Sequence, residues 1–200
     1  VRNGVPLPPA RPPRQPGGVL RLGTAARLSP QKRIEDLLEA LRLAAPMLPP
    51  WRLRIAGGPD GADPTYADRL HRSAGDLPVD WLGDRDDDTH LDELDLFILI
   101  AEPPGCPNAS LEAMARGLPV IATRVGGIVD QLDDGAGIIV PPRDAQALAE
   151  AIIALASDPE RRHMLGAAAR RRIAERFSLD AMADGYLAAA GLSGLGDIAG

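Results

Sequence analysis

The chain has 200 residues, is 45% hydrophobic and 25% charged, and carries a net charge of −6, which suits a soluble globular domain able to bury a sizeable core. That acidic balance excludes nucleic acid or an anionic membrane surface as the main partner. The lone Cys106 excludes an intrachain disulfide and fits a reducing, cytoplasmic setting. No apolar run reaches the roughly 20 residues of a membrane helix, so membrane association is expected only through parts of a full-length protein beyond this chain.

Residues 5–18, VPLPPARPPRQPGG, are dominated by proline. Each proline fixes its own φ and pushes its predecessor towards extended backbone, so residues 1–18 read as a semi-rigid linker or, on composition alone, a disordered tail. From Val19 short apolar runs alternate with helical periodicity. Strands are expected at 19–23, 51–56, 79–82, 94–100, 119–122 and 137–140. Helices are expected from Ile34 to Pro46, over 66–74 and 108–116, and as three consecutive helices over 144–156, 158–177 and 179–190. Asp144, Asp158 and Ser178 sit where N-caps belong, and residues 191–200 read as a flexible tail. The nearly all-apolar 94–100 is what a central parallel strand, buried on both faces, requires. The alternation predicts an α/β, doubly wound, Rossmann-like parallel sheet over 19–190, with helices on both faces and extra helices at the end.

In such sheets ligands bind beyond the carboxyl ends of the strands, which directs attention to the loops after residues 23, 56, 100 and 122. After the first strand, Arg27 in the loop and Lys32 at the following helix start offer two cations suited to a diphosphate. They also fit an ordinary solvated helix start. After the central strand, Gly105 and the flanking prolines delay helix until Asn108, a good N-cap. The amides of Ala109, Ser110 and Leu111 then become helix-start donors for phosphate oxygens. Glu112 in the first turn can accept hydroxyl hydrogen bonds, although carboxylates are common there for dipole reasons alone. Gly57-Gly58 and Gly126-Gly127 permit close backbone approach. Residues 84–88, DRDDD, read as a solvated loop, and Cys106 as a small spacer. His71, His90 and His163 read as surface or capping residues without metal-ligand spacing. Arg161, Arg162, Arg170, Arg171 and Arg172 read as a basic, solvated helix face, and Trp51 and Trp81 as core.

Taken together, the motifs resemble the retaining glycosyltransferases of the GT-B fold, of the group 1 or family 4 type, over Val1 to about Tyr186. Asn3-Gly4-Val5 resembles the turn that closes that family's acceptor domain. Arg27-Leu-Ser-Pro-Gln-Lys32 resembles its diphosphate clamp, and residues 105–120 with Gly126-Gly127 its most diagnostic stretch. The resemblance implies a nucleotide-sugar-binding domain, preceded by a missing N-terminal domain that holds the acceptor. Arg27 and Lys32 would grip the diphosphate, Glu112 the ribose, and Glu102 the donor sugar, with Gly57 beside the nucleoside. A hexose would be transferred with retention, without metal or cofactor. The family's first glutamate, seven residues before its second, would fall at Pro104, while Glu102 lies two residues earlier. Either Glu102 reaches the same place through an altered loop or that carboxylate is missing. A degenerate, non-catalytic binding module is the alternative. A dinucleotide-binding domain or a sugar-nucleotide epimerase ranks lower, and no G-x-G-x-x-G follows the first strand.

Overall fold

The structure is a computed structural model and describes residues 1–9, 18–85, 87–102 and 108–192. Six strands, β1 (Leu20–Ala25), β2 (Trp51–Ala56), β3 (Val79–Gly83), β4 (Leu96–Leu99), β5 (Val120–Thr123) and β6 (Ile138–Val140), build one sheet in the order β3-β2-β1-β4-β5-β6. Every pairing is parallel, so the doubly wound expectation holds. The chain winds outward from β1 to β3, then crosses to β4 on the other side of β1, which puts the topological switch between β1 and β4.

Seven α-helices are described: α1 (Ile34–Ala44), α2 (Pro64–Ala74), α3 (Asn108–Ala115), α4 (Ile128–Gln131), α5 (Ala145–Ala156), α6 (Pro159–Arg176) and α7 (Leu179–Ala189). Two apolar layers result, one on each sheet face. Leu96 and Ile98 of β4 pack with α1, α2 and α5, whereas Phe97 and Leu99 pack with α3, α4 and α6. This two-sided burial is why the strand reads as an unbroken apolar run and not as an alternating one. Asp144, Asp158 and Ser178 cap as expected, accepting from the amides of Ala147 (2.8 Å), Arg161 (2.8 Å) and Ala181 (3.1 Å). Among the described residues no helix is long and apolar enough to cross a membrane.

Two expectations need correction. Lys32 does not start a helix. Residues 30–32 form a single 3-10 turn, and Arg33 then adopts left-handed backbone (φ 49°), so α1 begins at Ile34. The fork of Arg33 on Asp36, at 3.0 and 2.7 Å, holds that unusual residue. Nor is the arginine-rich face of α6 simply solvated. Arg162 donates to the last carbonyls of α5, including that of Ala156 at 2.9 Å. Arg170 donates to Ala115 at the end of α3 and to Pro8 (2.6 Å). Arg172, only 5% exposed, donates through Nε to the Asp130 carbonyl of α4 at 3.0 Å and pairs with Asp134 at 2.7 Å. Three arginines of one helix thus satisfy the carboxyl-terminal carbonyls of three others, where positive charge is favourable.

Residues 1–9 do not extend away from the domain. Val5 is buried and its amide donates to the Phe177 carbonyl at 2.9 Å, while Arg2 pairs with Asp130 at 2.6 Å. The remaining linker positions, 10–17, and the tail beyond residue 192 lie outside the described residues. Helix α6 crosses the turn after α3 so closely that a Cβ on Gly166 would stand 2.0 Å from the Gly117 carbonyl oxygen. Gly166→Ala is therefore expected to lower the unfolding free energy by about 1–3 kcal/mol, measured by urea denaturation; an unchanged midpoint would mean that the two backbones separate freely.

Candidate functional site

A cavity of about 520 Å³ opens at the carboxyl edge of β1, β2 and β3. Its base depends on Gly57, whose backbone (φ 133°) is one that side-chain-bearing residues rarely adopt and whose Cβ would stand 2.0 Å from the Ala26 carbonyl oxygen. With glycine there, the loops stay stitched beyond the strands. Ala26 donates to Ala56 (2.9 Å), Leu28 to Gly58 (2.8 Å) and Gly57 to Gly83 (2.7 Å).

Arg27 lies in the cavity wall with its side chain exposed. Lys32 is half-buried on the 3-10 turn that follows the same loop and is not part of that wall. Among the described residues neither cation has an ion-pair partner, in contrast to the neighbouring Arg33. Helix α3 contributes Glu112, half-buried in the wall and one residue further into the helix than expected, because Asn108 is already helical. Burial pushes the Glu112 carboxyl above its ordinary range; nearby Asp88 adds to this and Arg116 opposes it.

Expected as a solvated stretch, the loop after β3 instead supplies much of the wall through Asp84, Arg85, Asp87, Asp88 and His90. Asp84 accepts from the Gly58 amide at 2.7 Å. Arg116, in the turn directly after α3, pairs with Asp88 at 2.6 Å and Asp92 at 3.2 Å, binding the loop to the end of the helix that carries Glu112. His90, expected at the surface, is half-buried. Its Nδ1 lies 3.3 Å from the Asp87 carbonyl, its Nε2 is buried without a partner among the described residues, and burial chiefly lowers its pKa. One signal could have found these residues: β3 is a parallel strand, so its following loop must share the edge of the others. Among the described residues no group of His, Cys, Asp and Glu could hold a metal ion.

The other expected residues lie at the margins. Asn108 is exposed and its Oδ1 accepts from Asn3 Nδ2 at 2.9 Å. Ala109 and Leu111 turn their side chains to the core, and the Ser110 hydroxyl bonds buried Gln131, leaving only backbone groups of this turn to meet a ligand. Glu102 follows β4, outside the cavity wall. Its amide donates to the Gln31 carbonyl at 2.8 Å, and its Oε1 accepts from Arg143 Nε at 2.8 Å. Gly105, Cys106 and Pro104 lie outside the described residues.

A profile of the family described as glycosyl transferases group 1 matches residues 20–158. The chain is 32% identical over 187 residues to a D-inositol 3-phosphate glycosyltransferase of Saccharomonospora viridis, covering 86% of this chain and 43% of that protein. It is 30% identical to a GDP-mannose-dependent monoacylated phosphatidylinositol monomannoside mannosyltransferase of Corynebacterium glutamicum, covering 80% of this chain and 44% of that one. Among solved structures, Anabaena HepE in complex with UDP and glucose superposes with a TM-score of 0.79 at 24% identity, covering 86% of this chain and 48% of that chain. The chain therefore belongs to the group 1 glycosyltransferases of the GT-B fold. It spans less than half the length of these relatives and corresponds to their C-terminal half.

The raised pKa of Glu112 fixes a sign. Its charged form is disfavoured in the fold, a cost that is absent below the glutamate range of the unfolded chain and complete above the raised folded value. Glu112→Gln is expected to raise the Tm near pH 7 and to leave it unchanged near pH 3, each compared with the unaltered chain at the same pH. A lower Tm at pH 7 would show that the carboxylate is stabilised where it stands.

Proposed function

We propose that this chain is the donor-binding part of a retaining glycosyltransferase, holding a nucleoside-diphosphate sugar whose hexose passes to an acceptor bound by another domain. The observation that carries this reading is a cavity at the carboxyl edge lined by an exposed arginine, Arg27, without an ion-pair partner among the described residues, and by a half-buried carboxylate, Glu112. The base and ribose lie towards Glu112 and the loop after β3, and the diphosphate towards Arg27 and Lys32, with the first-turn amides of α3 assisting. As the bond to the sugar breaks, negative charge grows on the leaving diphosphate. Arg27 and Lys32, which pair with no carboxylate among the described residues, stabilise it without a metal ion. The wall carboxylates Asp84, Asp87, Asp88 and Glu112 accept hydrogen bonds but do not donate them. They favour a base rich in N–H donors, as guanine is. UDP and GDP donors are both represented among the similar proteins.

Thermal unfolding with GDP, UDP, ADP and NAD in turn tests the reading. A nucleotide at 100 times its dissociation constant adds about 2.7 kcal/mol of stability, and GDP is expected to give the largest shift. No shift with any nucleoside diphosphate would overturn the proposal. Arg27→Ala is expected to weaken diphosphate binding by about 1.5–3 kcal/mol, the value of a charge-assisted contact, and titration calorimetry would read it. Glu112→Gln should weaken GDP binding more than pyrophosphate binding; equal losses would place Glu112 away from the nucleoside.

A further inference from the structure

The segment before β1 reaches the helix that carries Glu112 by two routes, and neither is needed to seat the segment itself. Other contacts seat it. Val5 is 4% exposed, and its amide donates to the Phe177 carbonyl. Gly4 lies so close to the junction of α6 and α7 that a Cβ there would stand 2.5 Å from the Ser178 carbonyl oxygen. Arg170 holds the Pro8 carbonyl at 2.6 Å.

Arg2 and Asn3 stand ahead of these anchors, and both are exposed. Each leads to the first turn of α3. Asn3 donates through Nδ2 to Oδ1 of Asn108, the first residue of that helix, at 2.9 Å. Arg2 pairs with Asp130 of α4 at 2.6 Å. The next residue of α4, buried Gln131, accepts from the Ser110 hydroxyl. One contact thus meets α3 directly and the other through α4. Asn108 and Glu112 are four residues apart on α3, which puts them on one helix face a turn apart. Glu112 lines the cavity.

Polar contacts between exposed side chains add little stability. Two of them converging on a single helical turn are better explained by a demand on where that turn stands. The donor site makes such a demand. First-turn amides that meet a phosphate, and a carboxylate that meets the nucleoside, lose their hold when the turn that carries them shifts.

We propose that Arg2 and Asn3 are positioning residues for the donor site, holding the first turn of α3 in register with the nucleoside diphosphate although neither lines the cavity. The inference rests on the donor-site reading above and adds to it the support of the binding turn. By linkage the dependence runs both ways, so a ligand that favours the seated turn also favours the seated segment.

The test joins titration calorimetry of the chain, with GDP or UDP, whichever binds more tightly, to amide hydrogen exchange. Arg2→Ala and Asn3→Ala are each expected to weaken that diphosphate about threefold, and the two together about tenfold. In an Asn108→Ala background, Asn3→Ala should weaken it no further, because the contact is already gone. Exchange of the Val5 amide should slow when the diphosphate binds, and slow less in the variant lacking both side chains. Unchanged affinity in that double variant would overturn the inference. So would additive losses from Asn3→Ala and Asn108→Ala, or Val5 exchange indifferent to the ligand. Failure of the unaltered chain to bind either diphosphate would instead overturn the donor-site reading, and the inference with it.

Discussion

Parallel hydrogen bonding is the constraint from which the rest of this molecule follows. Six strands running the same way leave every carboxyl end on one edge, and each return crossing must cover a face of the sheet. The reversal of winding between β1 and β4 parts the loops at that edge. Main-chain bonds then carry the pairing of β1, β2 and β3 past the strands themselves, through Ala26, Gly57 and Leu28. The base of the cavity is thus an extension of the sheet and shares its rigidity. A side chain at position 57 would press the second loop away from the first and undo that extension.

The arginines of this fold do three different kinds of work. Arg162, Arg170 and Arg172 of α6 are committed to carbonyl groups, closing α5, α3 and α4 and holding those helices to one another. Arg33, Arg116 and Arg143 are committed to carboxylates. Arg27, in the wall of a cavity otherwise rich in acids, has no ion-pair partner among the described residues. A net charge of −6 conceals this, because it averages over arginines paired with neighbouring groups and over Arg27, which among the described residues has no ion-pair partner.

What could be read from the sequence is what depends on near neighbours. The apolar run of β4, the periodicity of α1 and the caps Asp144, Asp158 and Ser178 are all encoded within a few residues of where they act. What could not be read depends on pairing across the chain. Arg116 draws the loop after β3 against α3; the parallel direction of β3 puts residues 84–88 at the right edge, but the ion pairs that make them a wall come from a residue far along the chain. Arg33 and Arg143 adopt left-handed backbone despite being neither glycine nor asparagine. In one case this delays α1 and leaves Lys32 outside it; in the other it aims a side chain at a residue 41 positions away. Glu112 was recognisable as a candidate from its motif, but its half-burial depends on what lies beside it, the loop after β3 that lines the same cavity.

The seating of the first nine residues has a consequence for how the domain comes apart. Helix α7 has no buried residue of its own and sits at the end of α6, away from the sheet. Much of what holds it comes from the other end of the chain. Val5 bridges to Ser178, the Gly4 amide meets the Met182 sulfur at 3.2 Å, and Gly185 leaves room for the Val1 side chain. Each terminal segment is therefore the other's support, and detaching either removes the partner that orders its counterpart. The two should open as one cooperative unit at lower free energy than the sheet, so that loss of order at residue 5 is felt first some 170 residues away along the chain, at Ser178, before any strand separates.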